Sequence, residues 1–354
     1  MTLRTSDFDF QFPEESIAYV PLPRGEARLL VVDRQGDANP TLTATSALPE
    51  FLQPGDALVL NDTRVLRARL IAKSTSGGRI EVLLLAPINQ SAPTVKAGML
   101  WEAMVKPAKR FQVDDFVVFS PRLTARVAAV LEGGTRLLDF NLDADDFHAE
   151  LESVGKIPLP PYIKREAEDM DITSYQSVFA EKPGSVAAPT ASLHLNESML
   201  AAIKAKGVEI LKVTLQIGAG TFLPVQSESL ADHAMHSEFF DLPSATAEAL
   251  NAVRNRGGRI WAVGTTAARV LETQALGSDK NLFVPGKGET RIFIYPGYVW
   301  KGVDGLLTNF HWPKSTLFML VCSLLGTERA KRIYAQAFAQ GFRLFSYGDA
   351  MLIR

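Results

Sequence analysis

A chain of 354 residues, 47% of them hydrophobic and 21% charged, has the length of roughly two ordinary domains and ample apolar material for a core, which excludes a disordered tail. Lysine and arginine number 37 against 39 aspartates and glutamates, a formal charge of −2, so the molecule as a whole does not attract a polyanion and nucleic-acid contact would have to come from local basic patches. The single cysteine, Cys322, excludes an internal disulfide or a multi-cysteine zinc site and fits a reducing compartment.

The amino-terminal residues include Asp7 and Asp9 where a secretory leader would need an apolar run. The longest apolar stretch, residues 317–325, falls well short of the roughly 18–20 residues that span a bilayer. A cytoplasmic protein without a membrane segment is expected. Residues 28–33 read as a core strand and 47–52 as a short helix. Short β runs then follow at 57–60, 65–72, 79–85, 100–105, 116–119, 124–131 and 136–140, with glycine pairs at 77–78 and 133–134 where hairpins would turn. Many short strands at near-regular spacing predict a small all-β barrel.

After Gly155 the texture changes to strands alternating with helices, as in the strand 207–217, the helix 245–256 and the strand 259–263. That alternation predicts an α/β large domain with a mixed sheet, interrupted by the smaller barrel. The expected division is 1–60 and 153–354 for the large domain and 61–152 for the insertion. Residues 164–173, highly charged, are expected to form a mobile loop. Two basic clusters stand out: Lys106, Lys109 and Arg110, and Lys164 with Arg165 after the proline-rich residues 157–163.

Several segments could carry chemistry. The strand ending near Ile217 runs into Gly218-Ala219-Gly220-Thr221-Phe222, but Leu223 stands where a dinucleotide fingerprint needs its third glycine and Pro224 where a helix should begin. The glycines still allow a backbone to approach a flat ligand. Residues 260–272 read as strand, glycine turn, threonine cap and helix, placing free N–H groups of Gly264, Thr265 and Thr266 where they attract an anion. His233, His236 and Glu238 are three possible metal ligands within six residues but lack the two-histidine spacing of zinc proteases; metal binding, a polar ligand wall and structural hydrogen bonding all stay open. His194, near Thr190 and Ser192, and His311, near Asn309 and Lys314, sit in runs dense with hydroxyl and amide groups beside apolar residues, where polar groups need partners or a ligand.

The ordered set of these segments resembles the S-adenosylmethionine:tRNA ribosyltransferase-isomerase family of queuosine biosynthesis along nearly the whole chain. The matching residues are Gly55-Asp56 with Asn61-Asp62-Thr63-Arg64, Trp101-Glu102-Ala103 with residues 105–110, 157–163 and 186–191, Gly220-Thr221-Phe222, 233–238, 262–266, 307–311 and 345–350. The chain departs from the family where Ser192-Leu193-His194-Leu195 replaces Gly-Leu-His-Phe, where Gln216 replaces a frequent histidine and where Trp312 replaces a leucine. The resemblance implies passage of the ribosyl part of S-adenosylmethionine to 7-aminomethyl-7-deazaguanine in tRNA, giving epoxyqueuosine, adenine and methionine. It implies no metal and no cofactor beyond S-adenosylmethionine as co-substrate.

Such a reaction needs a base for the C5′ protons acidified by the sulfonium, and an acid or donor cluster for the departing adenine. The candidates are His194, Glu238, His311 and Asp62, with His194 expected to take the C5′ proton and Thr190 and Ser192 to orient its ring. Gly220, Thr221, Phe222, Gly264, Thr265, Thr266, Asn309, Tyr347 and Asp349 are expected to bind substrate. Lys106, Lys109, Arg110, Lys164 and Arg165 are expected to meet tRNA phosphates. A non-catalytic tRNA-binding protein and an S-adenosylmethionine-dependent RNA methyltransferase are the alternatives; the latter normally shows a glycine-rich first strand-to-helix loop, and none opens the large domain.

Overall fold

The computed structural model describes residues 3–36, 38–73, 78–88, 99–218, 225, 227–278 and 281–354. Among these residues nine strands form the main sheet, in the order Gly286–Thr290, Glu238–Leu242, Glu209–Leu215, Ala57–Asn61, Ile260–Val263, Gly305–Asn309, Ala350–Ile353, Arg28–Val32 and Thr41–Ala44. The four consecutive strands from Glu209–Leu215 to Gly305–Asn309 run parallel, and antiparallel pairings flank them on both sides. The sheet is therefore mixed, as the alternation of strand and helix predicts.

Strands of this kind must be covered on both faces, so they read as continuous apolar runs whose successive side chains part to opposite sides. Leu30, Val32, Val59, Ala262 and Leu306 pack beneath the helices Gly264–Gln274, Thr316–Leu325 and Thr327–Ala339, against Val270, Leu271, Phe318 and Tyr334. Their neighbours Leu29, Val31, Leu58, Leu60, Trp261, Val263 and Leu307 face the other way, onto Leu48, Leu52, Met199 and Ile203. Trp261 fits there because Gly305 opposite it has no side chain: a Cβ at Gly305 would lie 2.1 Å from the Trp261 ring.

A second sheet of six antiparallel strands, ordered Arg69–Lys73, Arg79–Pro87, Met99–Lys106, Arg136–Phe140, Thr124–Val130 and Phe116–Val118, has its first and last strands in contact and forms a nearly closed barrel. All six strands fall in sequence between Ala57–Asn61 and Glu209–Leu215 of the main sheet. Helix Ala144–Val154, capped by the Asp143 carboxylate accepting from the Asp146 amide, packs Phe147 against Trp101 and Phe140 of the barrel core. Gly133 and Gly134, with φ of 83° and 86°, turn the chain between Thr124–Val130 and Arg136–Phe140. The other expected glycine turn, at 77–78, includes a position outside the described residues.

Three expectations need correction. The run 65–72 is broken in two: Thr63–Val65 pairs in parallel with Lys182–Ser185, and the barrel strand begins only at Arg69, because residues 66–68 turn inward to bury Leu66 and Ala68. The charged segment 164–173 is no mobile loop. Helix Asp169–Ser174 forms there, and the Arg165 guanidinium grips the buried Asp171 carboxylate through both terminal nitrogens at 2.6 and 2.8 Å, so the charges pair internally. Helix Gly264–Gln274 has no hydroxyl cap; Thr266 Oγ1 accepts from Asn61 Nδ2 at 3.1 Å instead, and among the described residues no side chain caps the first backbone N–H groups.

Candidate functional site

A cavity of about 950 Å³ lies at the carboxyl ends of the parallel strands. Its floor is built where those strands end: Ile217, Gly264-Thr265-Thr266 and the strand-end residues Thr308-Asn309. Residues 9–12 of the amino-terminal segment, Pro161 and Tyr162, residues 187–191 and Phe345-Ser346 complete the wall. The rim is aromatic. Trp312 stacks on Phe345 at 4.1 Å between centroids, and Tyr162 and Phe12 lean on both rings. Phe345 has a φ of 71°, a left-handed conformation that a bulky residue adopts only when its surroundings over-determine it.

Three acid–base pairs line the same cavity. Asp9–Lys314 at 2.7 Å and Glu14–Lys164 at 3.3 Å are solvent-exposed at the rim, whereas Glu238–Arg269 is buried. Glu238 Oε1 also accepts from the Gly218 amide at 3.3 Å. Arg269 Nε and Nη2 are buried and have no hydrogen-bond partner among the described residues.

The two histidines occupy different places. His311 lines the large cavity, with Nε2 2.8 Å from Thr308 Oγ1, and burial pulls its pKa down to about 3. His194 lines a separate cavity of about 140 Å³ together with Arg24 and Tyr347. Between the two cavities stands Asn309: its Oδ1 accepts from Thr190 Oγ1 at 3.1 Å, and its Nδ2 donates to the Phe345 carbonyl at 2.9 Å and to His194 Nε2 at 3.1 Å. An imidazole nitrogen that accepts from an amide carries no proton, so the network holds His194 as the neutral Nδ1–H tautomer. Burial lowers its pKa to about 4, against the opposing pull of Asp349.

The chain matches the family described as "Queuosine biosynthesis protein" over residues 5–353. Among curated proteins it is 48% identical over 353 residues to the S-adenosylmethionine:tRNA ribosyltransferase-isomerase of Gloeobacter violaceus, covering 99% of this chain and 95% of that one. It is 48% identical over 360 residues to the protein of the same name from Methylocella silvestris, covering 99% and 98%. The chain belongs to the queuosine-biosynthesis family of S-adenosylmethionine:tRNA ribosyltransferase-isomerases. A crystal structure of S-adenosylmethionine tRNA ribosyltransferase from Thermotoga maritima is similar at a TM-score of 0.55 and 32% identity, covering 98% of this chain and 100% of that chain.

Of the residues expected to form the family's site, Thr190, Glu238, Gly264, Thr265, Thr266, Asn309, His311 and Lys164 line the large cavity. Ser192 lies buried beside His194, its hydroxyl unpartnered among the described residues, and lines neither cavity. Asp62 accepts from Thr214 Oγ1 at 2.7 Å, away from the cavity wall; burial raises its pKa against the pull of that hydrogen bond and of Lys182. Tyr347 donates to Asp171, and the buried Asp349 carboxylate binds Arg28 and the Arg343 amide, so both anchor the segment that carries Phe345 and Ser346. Lys106 and Lys109 are exposed on the barrel and do not line the cavity; nothing is described of the Arg110 side chain. Gly220, Thr221 and Phe222 lie outside the described residues. The departure Gln216 packs on Gly184, where a Cβ would lie 2.4 Å from its Nε2, and does not reach the cavity, whereas the departure Trp312 forms its rim.

Reading the sequence missed Arg269 and the amino-terminal Phe10 and Phe12. Arg269 had a signal: it falls four residues after Thr265 on the same helix face, so the spacing alone puts both at the turn that opens the helix. The amino-terminal segment had none, because nothing local says which distant surface a Phe-x-Phe pair will cover.

Proposed function

We propose that this chain transfers and isomerises the ribosyl moiety of S-adenosylmethionine onto the aminomethyl group of 7-aminomethyl-7-deazaguanine in tRNA, giving epoxyqueuosine-tRNA, adenine and methionine. One observation carries the reading: motif residues from five distant parts of the chain, 161–162, 187–191, 264–266, 308–312 and 345–346, converge on one cavity. Small-molecule sites run from about 300 to 1,000 Å³. A site at the upper end of that range has room for a donor and a flipped-out base together.

Within this reading His311 takes the C5′ proton, since among the described residues it is the imidazole on the wall of the large cavity. His194, with Ser192 beside it, acts as a positioning residue through Asn309, which in turn fixes the Thr190 hydroxyl and the Phe345 carbonyl. Thr190 and Asn309 are assigned to substrate, which their remaining lone pairs meet as acceptors, since their donors already serve one another, His194 and the Phe345 carbonyl. Gly264, Thr265 and Thr266, together with Gly220, Thr221 and Phe222, are assigned to the donor. The target base must leave its stack to reach the site, and the Trp312–Phe345 pair offers it an aromatic face.

Lys106, Lys109 and Arg110 of the barrel, read as an inserted unit over residues 61–152 between 1–60 and 153–354, are assigned to tRNA phosphates together with Lys164. Arg165, held by Asp171, orients the segment that presents Lys164. Among the described residues no helix is long and apolar enough to cross a membrane, and we place the activity in the cytoplasm. The reaction as written needs no metal and no second cofactor. Incubation with S-adenosylmethionine and precursor tRNA tests the assignment: adenine and methionine released in equal amounts are expected, and S-adenosylhomocysteine as the product would refute it.

A further inference from the structure

The buried Glu238–Arg269 pair is not used by the chemistry above. Arg269 is 8% exposed and Glu238 7%, and both line the large cavity together with Gly264, Thr265 and Thr266 of the first turn of helix Gly264–Gln274. A buried ion pair costs desolvation that its own attraction barely returns, and replacing it by apolar residues is often neutral for stability. A pair of this kind set in a cavity wall asks for a ligand. The guanidinium is also incompletely satisfied: Glu238 takes Nη1, while Nε and Nη2 have no partner among the described residues. Those two nitrogens form one edge of the planar group, the edge whose parallel N–H bonds match the two oxygens of a carboxylate.

We infer that Arg269, the Gly264–Thr266 helix start and Glu238 form a cradle for a zwitterionic α-amino acid, and hold the methionine end of the sulfonium donor. The inference rests on the reading that S-adenosylmethionine is the donor. The carboxylate takes the Nε/Nη2 edge of Arg269 and faces the free N–H groups of the helix start, where the helix dipole also favours an anion. The ammonium, on the same carbon as the carboxylate, falls against the Glu238 carboxylate beside Arg269. Thr265, one helical turn before Arg269 on the same face, closes the cradle with its hydroxyl. Neither a neutral nor a purely cationic tail would satisfy both members of the pair.

The test compares binding by the full chain of S-adenosylmethionine, of its decarboxylated analogue, which keeps sulfonium and amine, and of 5′-methylthioadenosine, which lacks the amino-acid end. Loss of the carboxylate should weaken binding roughly ten- to hundredfold, the range for charge-assisted hydrogen bonds. Arg269→Gln, and the double variant Arg269→Gln with Glu238→Gln, which leaves no buried charge unpaired, should reduce that preference to within about threefold. The analogue comparison on the unaltered protein stands even if a variant fails to fold. An enzyme that converts precursor tRNA yet binds the decarboxylated donor as tightly as S-adenosylmethionine would overturn the cradle and leave the function intact. A carboxylate preference retained in folded Arg269 variants would overturn it too. Failure to bind either donor or to release adenine would overturn the functional reading along with the cradle.

Discussion

Lowering the pH from 7.5 to 5 should cost this protein stability through His311 and His194, and the cost can be worked out from their surroundings. Burial pulls the two imidazoles from 6.5 down to about 3 and about 4. Between its folded and unfolded pKa, each is protonated in the unfolded chain and neutral in the folded one. The contribution is therefore fully present above pH 6.5, is lost as pH falls, and levels off near the folded value. At pH 5 the unfolded chain has gained about one and a half pKa units of protonation free energy per ring, or about 2 kcal/mol each, since one unit is worth about 1.4 kcal/mol. Urea unfolding at a series of pH values, on the unaltered protein and on His311→Gln and His194→Gln, reads this out. Glutamine does not titrate, so each variant should lose about 2 kcal/mol less over the same interval, whatever its stability at pH 7.5. Other titrating groups are common to all three proteins and cancel in the comparison. Parallel stability curves for variant and parent would show that the rings are not buried as neutral species, and would undo the tautomer argument for His194 as well.

His311→Gln should lower turnover by about 10²- to 10⁴-fold while donor binding survives, and His194→Gln should cost less; exchange of the C5′ hydrogens with solvent deuterium separates the two, and the reverse order would transfer the base role to His194. Replacing both Lys106 and Lys109 by alanine should flatten the dependence of tRNA affinity on salt by a log–log slope of about 1.4–1.8, with donor affinity unchanged in calorimetry. Gly305→Ala forces a Cβ into the Trp261 ring, whose Nε1 is tied to Asp56 at 2.9 Å, and should destabilise the large sheet by at least about 1–3 kcal/mol in thermal unfolding.

What could be read from the sequence followed periodicity. The central strands were legible because a covered sheet needs unbroken apolar runs, and the helix Ser244–Asn255 because its buried residues Ala247, Leu250 and Val253 recur at helical spacing. The segment 164–173 was misread because its charges look like a solvated loop until Arg165 and Asp171 meet, six residues apart, around the Tyr347 hydroxyl. The same limit governs the site. Thr190, Asn309 and His311 announce themselves as polar groups set among apolar neighbours, but nothing along the chain says that Asn309 turns its amide toward one histidine while the cavity takes the other. That division depends on which side of Gly305–Asn309 each ring approaches, and only tertiary packing decides it.

The location of the cavity follows from the sheet. Four parallel strands end at one edge, where their last carbonyls and the following N–H groups leave the ladder and need other partners. Asparagine can donate and accept at once, and it stands last on two of these strands. Asn61 accepts from the Leu215 amide at 3.0 Å and donates to the Leu215 carbonyl at 3.0 Å and to Thr266 Oγ1, tying the neighbouring strand and the helix turn together. Asn309 does the same for Thr190, His194 and Phe345. With the strand ends fastened side by side by amides, the turns beyond them are held apart from one another, and the space between is the cavity. Aspartate at either position could accept but not donate. Asn309→Asp would leave the Phe345 carbonyl and His194 Nε2 facing an anion, so His194 would have to take up a proton to restore the contact. Its pKa should then rise from about 4 toward or above 6.5, which the imidazole carbon proton shifts in an NMR titration would show. An unchanged His194 titration in a folded Asn309→Asp protein would mean that the amide does not govern the ring.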